Sequence, residues 1–195
     1  MRRLWNIVVI LVAVALLYGM WVTKPRYGEL TGPIVSYGKM HDLVHTREFE
    51  VKLNQVTFAR ELAYTQFGKE KVLTTSGLWV VAAVELAATT KSTGVSSAIW
   101  QGPTGLRFEQ SNRVGWLAGQ PPFMLEPGLP KRVQLAFEIM PDQVNGATLL
   151  VSAQLDPSLD SEARIAVDDF KKFNDGQPLI VDRFDISRPQ PAAGS

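Results

Sequence analysis

The sequence predicts a two-layer antiparallel β-sandwich preceded by one transmembrane helix. Three observations predict it: an uncharged apolar stretch from Leu4 to Val22, a hydrophobic period of two through much of the remainder, and turn residues between those alternating runs. The chain has 195 residues, 46% hydrophobic and 20% charged, which fits one folded domain with a segment to spare and excludes a disordered or multi-span chain. Twenty Lys and Arg stand against nineteen Asp and Glu, so the basic excess of a nucleic-acid binder is missing. There is no cysteine, which excludes disulfides, thiol catalysis and cysteine-held metals.

The stretch LWNIVVILVAVALLYGMWV, residues 4–22, would rise roughly 28 Å as a helix, about the thickness of a bilayer's hydrocarbon. Helix is the conformation that satisfies a single segment's backbone in lipid, so the many Val and Ile do not count against it. Leu4 and Trp5 mark one end, Tyr18 and Trp21 the other, and such rings favour membrane interfaces. A cleaved secretory signal is the alternative, but the exit Tyr18-Gly19-Met20-Trp21 is bulky where cleavage needs small residues. A twin-arginine signal at Arg2-Arg3 fits its surroundings poorly. Residues 1–3 then form a cytoplasmic tail, and the body is exported. Arg2, Arg3, Lys24 and Arg26 all precede the first acid, Glu29, so the body is mildly acidic and ill suited to lying on anionic lipid.

Residues 23–47 read as a linker with a possible edge strand at Ile34–Tyr37. Residues 48–188 read as the sandwich, and 189–195 as a disordered tail. Phe49, Val51 and Leu53 alternate with polar residues; the phase then slips to Val56 and Phe58, as at a bulge. Leu78 to Ala88 is apolar on both faces and reads as a central strand. Leu106-Arg107-Phe108 follows a Gly-Pro-Thr-Gly turn. Val133 to Ile139 alternates cleanly and stops at Pro141. Asn145-Gly146 predicts a hairpin joining that strand to residues 147–155. Ala163–Val167 fits a strand, with helix as the alternative across 159–173; as a strand it offers a partner to the last run, Leu179–Ile186.

Several of these runs carry a likeness: Phe49-Glu50-Val51-Lys52-Leu53 with Val56, Gly77 to Val84, Gly105-Leu106-Arg107-Phe108, and Leu125-Glu126-Pro127-Gly128 leading into Val133–Pro141. Over residues 47–155 the chain resembles a bacterial family of exported, often membrane-anchored domains of unknown function. These share an immunoglobulin-like sandwich with the telokin-like and secreted-antigen folds. The resemblance implies an all-β, immunoglobulin-like antiparallel β-sandwich used as an interaction or accessory module. It implies no catalytic residues and no cofactor. Ala87-Ala88-Thr89-Thr90 departs from the Asn-rich turn usual there, and the segment after residue 155 is extra.

His41 and His45 have the spacing of two zinc ligands on one helical face, with Asp42 in the place where the familiar motif has glutamate. Their flanks do not extend a helix, so a solvated linker is the plainer reading, and a metal-dependent hydrolase stays a remote alternative. Asp156, Asp160, Asp168 and Asp169 lack the glycine-centred loop of a calcium site. Trp100, Trp116, Leu117, Phe123 and Met124 lie in or near Gly- and Pro-rich segments, where large apolar side chains can anchor a partner. Core-filling is the other reading for tryptophans in a sandwich. The expected function is non-enzymatic: a single-pass protein of a bacterial inner membrane whose periplasmic body binds an envelope protein. An accessory subunit of a transport, secretion or division complex is the alternative. The expected partners are the bilayer and that protein, with no nucleic acid.

Overall fold

A computed structural model describes residues 2–24, 32–114, 121–154, 160–168 and 178–187. The chain divides into two units, Met1–Gly32 and Pro33–Ser195. The first contains α1, Arg2–Thr23, one turn's fraction longer than expected at either end. From Trp5 to Thr23 its mean hydropathy is 2.2, and none of that stretch is buried, so it is long and apolar enough to cross a membrane. Tyr18 and Trp21 sit together at its C-terminal end, rings 6.3 Å apart, while Trp5 is exposed near the start. Leu4 lies within α1, but its side chain is outside the described set.

The second unit is a β-sandwich. Its strands are β1 Pro33–Lys39, β2 Leu43–His45, β3 Phe49–Gln66, β4 Lys69–Ala88, β5 Thr93–Val95, β6 Ser97–Gln101, β7 Arg107–Glu109, β8 Phe123–Leu125, β9 Lys131–Ile139, β10 Thr148–Ser152, β11 Asp160–Ala166 and β12 Ile180–Asp185. One sheet has the order β1-β11-β10-β6-β7. The other runs β12-β3-β4-β9 with β2 added beside β3, and β5 pairs with β8 in a small ribbon. The stretch read as linker thus supplies two strands, β1 at a sheet edge as expected and β2, which was not.

The core between the sheets follows from the period of two. Phe49, Val51 and Leu53 point inward, the register shifts between Leu53 and Gln55, and Phe58 then returns to the same core. Asn54 is the extra residue, so the bulge lies where the phase slip predicts it. β4 is central, between β3 and β9. Its Val80, Ala82, Val84 and Leu86 face the main core, while Trp79 and Val81 join Ala59, Leu62, Ala136 and Val114 in a second cluster on the other face. A strand buried on both faces must be apolar throughout, which is why residues 78–84 show no alternation. Arg113 closes the second cluster. Its guanidinium lies 5.4 Å from the Trp79 ring centre and donates to the Thr74 carbonyl at 3.0 Å and the Glu138 carboxylate at 2.8 Å.

Three expectations are corrected. The sheets are mixed, since β1 runs parallel to β11 and β12 parallel to β3. Asn145-Gly146 does turn the chain, with Gly146 at φ 80°, but β9 and β10 do not form a hairpin: β9 pairs with β4, and β10 with β6 and β11. A 3-10 turn at Pro141–Gln143 ends β9 and carries the chain from one sheet to the other before the Asn-Gly turn is reached. Residues 160–166 are a strand as favoured, yet the last strand pairs with β3 and not with it. The tail 189–195 lies outside the described residues.

β3 and β4 form a long hairpin that the sequence reading did not predict, closed by Phe67 and Gly68, both at positive φ. β9 ends opposite Leu78, so residues 69–77 of β4 run past it. Arg47, just before β3, pairs with Asp160, which stands opposite Pro33. The first residue of β1 and the start of β3 therefore share one pole of the sandwich, and the hairpin tip occupies the other. Arg183 on β12 braces this projection, reaching one Glu61 carboxylate oxygen through Nε (3.0 Å) and Nη2 (2.9 Å), and Glu70 at 3.6 Å. With Arg183 about half exposed, Arg183→Ala is expected to cost no more than about 1 kcal/mol in urea unfolding, an effect that shrinks at high salt.

Candidate functional site

The residues singled out as partner anchors scatter. Trp100 is fully buried, because β6 alternates: Ala98 and Trp100 face the core, while Ser97, Ile99 and Gln101 do not. Its ring meets Phe58 edge-on at 6.0 Å and Phe137 at 6.2 Å, and its Nε1 donates to the Gln143 carbonyl at 3.0 Å. It is a core residue, and the expectation of a surface role for it is corrected. Phe123 and Leu125 of β8 also point inward, and Lys131 Nζ lies 6.0 Å from the Phe123 ring. Met124 between them points outward and is 62% exposed, opposite Gly94 of β5. Trp116 and Leu117 lie outside the described residues.

His41 and His45 are not on a helix. His41 occupies a turn at φ 69°, and His45 ends β2 with Nδ1 2.8 Å from Glu50 Oε1 across to β3. The shared helical face that zinc binding required is absent, which corrects the hydrolase alternative's geometry. Asp160 is engaged by Arg47. Other carboxylates are likewise cross-strand or near-neighbour braces: Glu85 with Arg132 at 3.0 Å, Glu138 with Arg113, and the buried Glu162 with Arg164 at 2.6 Å and the Ser152 hydroxyl at 3.3 Å. Among the described residues no group of three or more His, Asp or Glu converges as metal ligands would.

What the structure adds is a cleft of about 240 Å³ at one edge of the first sheet. Its long side is the strand segment Ser96–Ile99. One end is walled by Pro121 and Pro122, the other by Glu109, Gln110 and Asn112. The cleft exists because β7 is short: it pairs with Ile99, Trp100 and Gln101 of β6 and no further. After Glu109 the chain leaves this sheet, with Gln110 bridging to Phe137 and the Ser111 amide donating to the Ala136 carbonyl at 2.8 Å on the other. Below Ile99, Ser97 and Ala98 have no β7 partner, and both are buried. Sequence reasoning missed the cleft, since the length of a partner strand leaves no local mark on β6.

No protein-family model and no curated protein matches the chain. Two solved structures are similar in shape. The yjhA protein from Bacillus subtilis superposes with a TM-score of 0.52 at 12% identity, covering 67% of this chain and 99% of that one. An uncharacterized β-sandwich protein from Clostridium difficile 630 gives a TM-score of 0.43 at 9% identity, covering 73% of this chain and 99% of its own. The first likeness, at that identity, is one of fold. The body of this chain is a β-sandwich by its own two sheets and the core between them.

Proposed function

We propose that this chain is a membrane-anchored binding module: α1 spans a bacterial inner membrane, and an immunoglobulin-like sandwich in the periplasm binds an envelope protein without catalysis. The carrying observation is α1 itself. Its large apolar side chains from Trp5 to Val22 are exposed, and no part of the stretch is buried against the chain. Exposed apolar surface of this size is covered in water only at great cost, whereas lipid covers it at none. Aromatic rings at both ends favour the same reading. Large rings packed between two sheets support the immunoglobulin-like kind of sandwich. The non-enzymatic role is supported by the use of carboxylates as braces with arginines, which leaves them partnered and spread over the sheets. Anchoring would also confine the body to the membrane plane and raise its effective concentration toward membrane partners.

The full chain is expected to sediment with membranes and to resist alkaline extraction. Leu11→Arg with Val14→Arg places two charges mid-span, each costing about 2.5–3.5 kcal/mol, and is expected to move the protein to the soluble fraction. Because the chain has no cysteine, a single Lys69→Cys gives one unambiguous label. It is expected to react with an impermeant maleimide added outside spheroplasts. Extraction of the unaltered chain by alkali, or labelling only after lysis, would refute the assignment.

A further inference from the structure

β1 is the outermost strand of its sheet: β11 pairs with one side of it, and no strand among the described residues pairs with the other. The C-terminal end of β1 fixes which way its backbone groups point. The Met40 amide donates to the Ala166 carbonyl at 3.2 Å, so the even-numbered residues of β1 turn N–H and C=O toward β11, and the odd-numbered ones turn theirs outward. Of the outward set, Lys39 is engaged by Asp42, whose carboxylate accepts from its amide at 3.1 Å and whose own amide donates to its carbonyl at 3.2 Å. Pro33 has no N–H to offer. Val35 and Tyr37 are the residues that present both groups on the outer side. The side chains along this edge are apolar and accessible, with Ile34 63% exposed and Tyr37 75%. β12, an edge strand of the other sheet, carries Asp182, Arg183 and Asp185, charges of the kind that keep sheet edges from pairing. β1 carries no charge before Lys39.

We propose that β1 pairs with β1 of a second copy of the chain, antiparallel and about a two-fold axis at Ser36, so that two sandwiches share one continuous sheet. In this register Val35 of each copy stands opposite Tyr37 of the other, and each such pair exchanges N–H and C=O in both directions. Side chains keep their faces, because odd-numbered residues meet odd and even meet even. A β-branched side chain then lies across from an aromatic one, a stabilising cross-strand pair that the two-fold axis repeats. A second copy suits this edge because the contact is self-complementary and closes at two chains. The inference goes beyond the envelope-partner reading and does not depend on it.

The test uses the full chain in detergent micelles, where sedimentation equilibrium is expected to show a dimer. Ser36 is half-buried, and the chain has no cysteine, so Ser36→Cys introduces a single thiol. At the axis the two Cα atoms would lie about 4.5 Å apart, the spacing of a non-hydrogen-bonded pair and within reach of a disulfide. Mild oxidation is expected to convert most of the chain to a covalent dimer. Ile34→Cys is the control: its two copies would stand four residues apart along the strands, roughly 14 Å, and are expected to stay reduced. Tyr37→Lys, at an exposed position, sets a charge against Val35 and is expected to raise the dimer dissociation constant about tenfold while the urea unfolding of the body is unchanged. Val35→Pro removes an outward N–H without touching the bonds to β11 and is expected to weaken the dimer further. A monomeric chain, cross-linking at Ile34 as efficient as at Ser36, or a dimer indifferent to Tyr37→Lys, as one held by α1 would be, overturns the proposal. Each of these results leaves the binding-module reading standing.

Discussion

Trp100→Ala is expected to lower the stability of the sandwich by about 4 kcal/mol, the usual size of the loss when a large aromatic is removed from a core. The ring is fully buried and touches Phe58 of β3 and Phe137 of β9, so it ties one sheet to the other at a single point. Truncation leaves a cavity between layers that cannot collapse without moving both sheets. It also strands the Gln143 carbonyl, which accepts from Trp100 Nε1 at 3.0 Å inside the protein. An orphaned buried acceptor adds about 1 kcal/mol or more. Trp100→Phe separates the two effects, since it keeps most of the packing and loses the hydrogen bond; about 1.5–2 kcal/mol is expected. Urea titration of the full chain in micelles gives both numbers. A loss below about 1 kcal/mol for Trp100→Ala would mean that the ring does not join the sheets as described.

Gly77→Ala is expected to cost about 2–3 kcal/mol. A Cβ on Gly77 would stand 2.1 Å from the Ile139 carbonyl oxygen and 3.1 Å from its carbon. That oxygen is backbone at the end of β9, so no side-chain rotation relieves the clash; β9 itself must shift. The pair Leu78↔Ile139 lies next to the contact and is expected to open first. Amide exchange at Glu138, Ile139 and their β4 partners is expected to rise before the rest of the sandwich is affected. Gly94→Ala serves as the internal control. Its Cβ would meet only Met124 Sδ, at 3.7 Å, which is ordinary contact. It is expected to change stability by no more than about 0.5 kcal/mol.

These two sites also mark where the sequence was legible and where it was not. Ala98-Ile99-Trp100 carries a period of two that places Trp100 on the same face as Ala98. The glycines and proline that follow at 102–105 drew attention to a loop instead. The strand over 133–139, its stop at Pro141 and the slip at Asn54 are local signals, and each holds in the fold. Asn145-Gly146 is local as well. It reports that the chain reverses, but not which sheet receives it, and that depends on the Pro141–Gln143 turn having already swung the chain across. The hairpin tip was hidden because Phe67 takes positive φ without belonging to the residues that favour it. Parallel pairing of β1 with β11 and of β12 with β3 joins residues far apart in sequence, and no spacing rule reaches that far. The cleft is of the same kind, being set by where β7 stops.

Those parallel edges bear on the order in which the body can be completed during synthesis. β1 emerges from the ribosome early, yet the strand that shelters one of its sides comes from residues 160–166, and the outer cover of β3 from 180–185. At roughly 5–20 residues per second, β1 waits on the order of ten seconds with the edge that β11 will pair still open. Until the last strands arrive, the nascent polypeptide lacks a finished sheet on either layer.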